Sequence, residues 1–125
     1  MSYYPLNNIP DYYGIDDLLT EEHILIRNSV RDWVQSFIMP QIDDAAQHHK
    51  DIPNLMKELG AIGALGPYIP EEYGGAGLDQ ISYGLIMQEL ERGDSAVRSA
   101  ASVQSSLVMF PIYEFGSEEQ KRKYL

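Results

Sequence analysis

Cysteine is absent from the 125 residues, which excludes disulfides, thiolate nucleophiles and zinc–thiolate centres. Basic residues are few: nine Lys and Arg stand against nineteen Asp and Glu, a formal net charge of −10, and no basic run occurs. That balance argues against nucleic acid or an anionic membrane as a partner. No apolar run approaches the roughly 20 residues that a membrane span needs. Strand-like alternation of useful length is missing, as are internal repeats and low-complexity tracts. Histidine is limited to His23, His48 and His49, with no arrangement that would activate a serine. Adjacent His48 and His49 point to different sides of a helix, so with Asp51 they read as a solvated helix end rather than a metal site. The opening MSYYPLNNIPDYYG lacks the basic region and apolar core of a secretory signal. A soluble, cytoplasmic protein is the expectation.

What is present reads as one helical domain. The length suits a single core, and 44% hydrophobic residues is ordinary for a globular chain. Residues 1–17 carry four tyrosines, two prolines and two asparagines, and read as a flexible arm. Thr20 before Glu21 and Glu22 opens a helix, along which Ile26, Val30, Trp33, Val34 and Phe37 recur at helical spacing. Pro40 is expected to kink or interrupt it. A short helix from Asn54 to Leu59 should stop at Gly60. From Gly63 to Leu78 the glycines at 63, 66, 74, 75 and 77, with Pro67 and Pro70, mark a long loop. Its GGAG lacks both the GK[ST] of a phosphate loop and the strand that precedes a dinucleotide fingerprint, so no cofactor contact is assigned to it. Asp79 caps the next helix, whose apolar face is Tyr83, Ile86, Met87 and Leu90. Gly93 and Asp94 break it. Near the end, Ser117 with Gln120 forms a capping box, and Lys121, Arg122 and Lys123 suit a helix C-terminus. The fold class is all-α, an orthogonal or up-down bundle of about five or six helices.

The segment Ser95–Met109, with Asp94 as cap and Pro111 setting its end, is the most informative. At about 100° per residue, Arg98, Ser99, Ser102, Ser105, Ser106 and Met109 share an arc of roughly 120°. A face of short side chains leaves room for something to lie against it, and one cation marks its end. A guanidinium can hold a carboxylate by two parallel hydrogen bonds, and a neighbouring hydroxyl can add a third. The alternative for Arg98 is an ion pair with Asp94 at the i,i+4 spacing, and the alternative for the serines is close helix packing. Tyr83, Met87, Met109 and Phe110 read as core or pocket lining. Glu89, Glu91 and Glu114 read as carboxylates on helix surfaces without a tuning partner.

Two runs carry a family resemblance. ELERGDSAVRSAASVQSSLVM (Glu89–Met109), followed by PIYEFGSEEQKRKYL (Pro111–Leu125), resembles the helix that lines the acyl pocket of glutaryl-CoA dehydrogenases. ALGPYIPEEYGGAGLDQISYGLIMQELER (Ala64–Arg92) resembles the more general signature of acyl-CoA dehydrogenases. The similarity runs from about Leu18 to Leu125, so residues 18–125 are expected to be the N-terminal helical domain of such an enzyme, with a β-domain and a second helical domain following elsewhere.

The resemblance implies an FAD-dependent reaction on an acyl-CoA. A glutamate removes the α-proton while the β-hydrogen leaves as hydride to the flavin, and in the glutaryl group decarboxylation follows. Electrons then pass to an acceptor flavoprotein, and the enzyme is a homo-oligomer, a tetramer in the family. The catalytic base and most FAD contacts belong to the later domains, so no catalytic residue is expected in this chain and the isolated chain is expected to be inactive. Substrate binding falls to Arg98, Ser99 and Ser102, toward the distal carboxylate of glutaryl-CoA. The readings left open are a plain short-chain acyl-CoA dehydrogenase or oxidase, and a non-enzymatic helical interaction domain.

Overall fold

The computed structural model describes residues 10–125. Its helical segments are α1 (Glu21–Trp33), α2 (Met39–His48), α3 (Leu55–Ala61), α4 (Gln80–Gly93), α5 (Ser95–Ser102), α6 (Phe110–Phe115) and α7 (Glu118–Tyr124). Two π-helical segments, Val34–Ile38 and Val103–Met109, join α1 to α2 and α5 to α6 without a break. The result is five continuous helical rods among the described residues, and no strand.

Both π segments sit just before a proline: Pro40 distorts its helix as expected, whereas Pro111 does not set the end of the helix that was expected to stop there. Neither ends its helix. Proline lacks an N–H and its ring crowds the carbonyl four residues back. A widened turn takes up that conflict, so the helix carries on through it. The carbonyls near the widened turns find side-chain partners instead. Gln41 Nε2 donates to the Phe37 carbonyl at 2.6 Å, Ser105 Oγ to Ala101 at 2.7 Å, and Ser106 Oγ to Ser102 at 2.5 Å.

The core forms where α1, its π segment, α4 and α5 meet. Val30, Val34, Ile38, Leu59, Ala64, Ile86, Leu90, Val97 and Ala101 are buried together, with Ile26, Trp33 and Phe37 packed against them. Gly93 permits close approach of α4 to the first rod: a Cβ there would sit 2.5 Å from Val34 Cγ1, so a larger residue forces one of the two to shift. Gly60 lies inside α3, contrary to the expected stop. The turn comes at Gly63, whose φ of 73° lets the Gly63 and Ala64 amides close on the Gly60 and Leu59 carbonyls.

Each long helix starts as its sequence indicates. Thr20 accepts from the His23 amide, and Asp79 accepts from the Ser82 amide. One imidazole ties these two starts together. His23 Nδ1 accepts from the Thr20 amide at 3.3 Å, so Nε2 carries the proton and donates to Asp79 at 2.8 Å. No partner for His23 is evident from spacing; the structure makes it a buried joint 56 positions from Asp79. Backbone and imidazole donors together lower the Asp79 pKa from 3.8 to about 2.

Candidate functional site

The site is built where α4 gives way to α5. Asp94 adopts an extended backbone between the two helices and accepts from the amides of Ala96 and Val97 at 2.8 and 3.1 Å. That carboxylate is therefore occupied as a cap, and Arg98 turns elsewhere. Its Nε donates to Glu91 Oε2 at 2.6 Å, seven residues back across the junction, and Nη1 donates to Ser102 Oγ at 3.1 Å. The alternative i,i+4 pair with Asp94 gives way to Glu91, because an N-cap carboxylate is already committed to backbone amides. Nη2 has no hydrogen-bond partner among the described residues, and about a third of the Arg98 side chain, 34%, is exposed. Ser99 is half-buried beside it, and its carbonyl accepts from Ser102 Oγ at 3.2 Å. Arg98 and Ser102 are thus in contact, and Ser99 adjoins them along α5.

Glu91 is more than a surface carboxylate. Ser95 Oγ donates to its Oε1 at 2.6 Å while Arg98 takes Oε2. These donors, Ser95 first, hold its pKa below the usual glutamate range. Glu89 departs further from expectation: it is fully buried. Arg31 grips it with two bonds, Nε to Oε2 at 3.0 Å and Nη2 to Oε1 at 2.9 Å, and Arg92 Nε lies 3.3 Å from Oε2. A carboxylate falling on the core face of α4 was the available signal, since Glu89 stands four and three residues after buried Leu85 and Ile86.

The serine face divides into two uses. Ser105 is fully buried and does not line an open surface. Its hydroxyl accepts from the Gly66 amide at 2.9 Å, and its carbonyl accepts from Tyr68 at 2.7 Å. It therefore fastens the glycine-rich loop to the widened segment. Met109 is buried as well, packed on Gly66, where a Cβ would meet its Cε at 2.6 Å. Ser102 and Ser106 stay half-buried on the Arg98 side, with Tyr83 Oη 3.3 Å from Ser106 Oγ. The loop amides are used internally: Gly75 donates to the Pro70 carbonyl, Gly77 to Ile69 and Leu78 to Pro67. They are not free to cradle a phosphate.

On the far side of the same rod, Val103, Leu107, Val108, Phe110 and Phe115 are exposed, Leu107 by 70% and Phe115 by 81%. An exposed apolar stripe of this extent on one helix marks a packing surface. Among the described residues no group of three or more His, Asp or Glu side chains is placed to hold a metal, and no helix is long and apolar enough to cross a membrane.

The sequence from residue 20 to 125 matches the model of the acyl-CoA dehydrogenase N-terminal domain. The chain belongs to this family. Among its acyl-CoA dehydrogenase relatives, a probable acyl-CoA dehydrogenase of Bacillus subtilis (strain 168) is 41% identical over 107 residues, covering 85% of this chain and 18% of the relative. The mitochondrial short-chain specific acyl-CoA dehydrogenase of Homo sapiens is 35% identical, covering 86% of this chain and 26% of the relative. The crystal structure of a Mycobacterium smegmatis glutaryl-CoA dehydrogenase in complex with FADH2 superposes with a TM-score of 0.86 at 40% identity, covering 98% of this chain and 31% of that one. The chain therefore spans less than a third of the length of these acyl-CoA dehydrogenases.

Proposed function

We propose that this chain is the N-terminal domain of an FAD-dependent acyl-CoA dehydrogenase, and that its α5 forms one wall of the acyl pocket. Arg98, with Ser99 and Ser102 beside it, receives the distal carboxylate of a glutaryl-like acyl chain. The observation that carries this reading is the state of the Arg98 guanidinium. It is fixed at Nε by Glu91 and at Nη1 by Ser102, and it has unused N–H groups at Nη2 on a half-exposed helix face. An arginine held in this way can meet a planar carboxylate with two parallel bonds. Each charge-assisted bond is worth about 1.5–3 kcal/mol, enough to favour a dicarboxylate-derived chain tenfold or more.

Among the described residues the glycine-rich loop consumes its own amides, so this reading assigns it no flavin phosphate. The flavin falls to further domains. When bound it supplies the hydride acceptor for α,β-dehydrogenation, and an electron-accepting flavoprotein takes the electrons onward. The exposed stripe from Val103 to Phe115 is where those domains pack, and oligomerisation of the whole enzyme is part of the same proposal.

A plain short-chain substrate is the second reading. Glu91 already balances the charge of Arg98, so the pair could serve only to join α4 to α5. Expression of the full reading frame that carries this chain tests the proposal. The purified protein should hold about one FAD per subunit, and glutaryl-CoA should bleach the flavin band at lower concentration than butyryl-CoA. A frame that ends at Leu125, or a product without flavin, would refute the enzyme assignment. Equal bleaching by the two thioesters would leave the short-chain reading.

A further inference from the structure

We propose that Ser95 is a positioning residue for the carboxylate clamp: its hydroxyl fixes one oxygen of Glu91 so that the other holds Arg98 Nε in a single orientation, with the outer, Nη1–Nη2 edge of the guanidinium turned to a ligand. The inference rests on the clamp reading above and extends it to a residue that would not touch the substrate.

A carboxylate facing a guanidinium ordinarily favours two parallel bonds. Glu91 makes only one. Its Oε2 accepts from Arg98 Nε at 2.6 Å, while Oε1 is held at 2.6 Å by Ser95 Oγ. The two donors approach from opposite ends of the carboxylate and stop it from turning onto the Nε–Nη2 edge of Arg98. Without the hydroxyl, the Glu91 carboxylate is free to rotate about its single bond to Arg98 Nε, and the guanidinium loses the fixed orientation in which its Nη1–Nη2 edge meets a ligand.

The position supports this role. Ser95 is the first residue of α5, directly after the capping Asp94, where its hydroxyl adds little to the helix itself. Glu91 and Arg98 are 46% and 34% exposed, and an exposed ion pair does not by itself hold a single geometry. Ser95 and Ser102 supply the two further fixed points, one on the acid and one on the base. The depressed pKa of Glu91, whose leading cause is the Ser95 bond, agrees with a carboxylate kept ionised for the task.

The test uses Ser95→Ala and Ser95→Thr in the flavoenzyme produced from the full reading frame, with glutaryl-CoA and butyryl-CoA as substrates. Ser95→Ala should raise KM for glutaryl-CoA about 3- to 10-fold, the worth of one hydrogen bond, with kcat within about twofold. Both constants for butyryl-CoA and the melting temperature should stay put, and Ser95→Thr should restore the glutaryl-CoA KM. An unchanged glutaryl-CoA KM in Ser95→Ala would overturn the inference, and so would an equal loss on both substrates, which would make Ser95 a pin of the helix junction. The underlying clamp reading fails separately: wild-type enzyme with no preference for glutaryl-CoA would remove it before any variant is compared.

Discussion

Glu89→Gln should be among the most destabilising single polar changes in the chain. The carboxylate is fully buried and receives both nitrogens of a two-pronged Arg31 grip, with Arg92 as a third contact. Gln keeps the shape but removes the charge and turns one acceptor into a donor facing a guanidinium. Breaking a buried ion pair from one side costs about 3–5 kcal/mol, because the remaining charge loses its partner. Arg31 and Arg92 retain 17% and 20% side-chain exposure, so water can reach them, and the lower end of that range, about 3 kcal/mol, applies. In a domain whose total stability is about 5–15 kcal/mol this is a large fraction. Urea unfolding of the 125-residue chain, followed by far-ultraviolet circular dichroism, reads the change as a lower midpoint at constant slope. The double change Glu89→Leu with Arg31→Met should cost less than the sum of the two single changes by at least about 1.5 kcal/mol, since both charges leave together. A loss below about 0.5 kcal/mol for Glu89→Gln, or additive losses in the double variant, would refute the joint between α1 and α4.

Three further outcomes follow from the fold. Because the Asp79 pKa is lowered from 3.8 to about 2, its contribution is complete above the unfolded value and is lost as pH falls toward 2. Asp79→Asn should therefore lower stability at neutral pH and flatten the acid limb of the pH–stability curve in that window, read by thermal melts at stepped pH. Ser105→Ala leaves the buried Gly66 amide without its acceptor and should cost about 1–3 kcal/mol, with proteolysis of the 63–78 loop accelerating in step. The isolated chain should self-associate and bind a hydrophobic dye through its exposed stripe, and Leu107→Ser with Phe115→Ser should reduce both effects in sedimentation and fluorescence.

The all-α class, the helix starts at Thr20 and Asp79, and the break at Asp94 were legible because each rests on local chemistry: a capping oxygen or a hydrophobic period. Pro111 was misread for a physical reason. Pro40 and Pro111 stop an ordinary α-turn, but a π-turn just upstream absorbs the missing amide, and nothing in propensity alone distinguishes the two. That same widening upset the helical wheel, turning Ser105 and Met109 from the Arg98 face into the interior. Long-range partners were the other gap. His23 with Asp79 and Arg31 with Glu89 lie 56 and 58 positions apart, so their pairing emerges only when α1 and α4 pack. At the candidate site, spacing placed Arg98 on one face with Ser99 and Ser102, and the structure brings Arg98 and Ser102 into contact. The alternative partner that spacing offered, Asp94, is held by its capping role, and Glu91, which spacing did not offer, takes its place.

The most direct test of the clamp is Arg98→Ala in the full-length flavoenzyme, assayed side by side on glutaryl-CoA and butyryl-CoA. Loss of the guanidinium should remove about 2–4 kcal/mol of glutaryl-CoA recognition, a fall of roughly 30- to 1,000-fold in kcat/KM. Butyryl-CoA, with no second carboxylate, should change far less. Arg98→Lys should recover only part of the loss, since an ammonium cannot form the two-pronged bond. Equal losses on both substrates would contradict the clamp and leave Arg98 as the residue that ties α5 to Glu91.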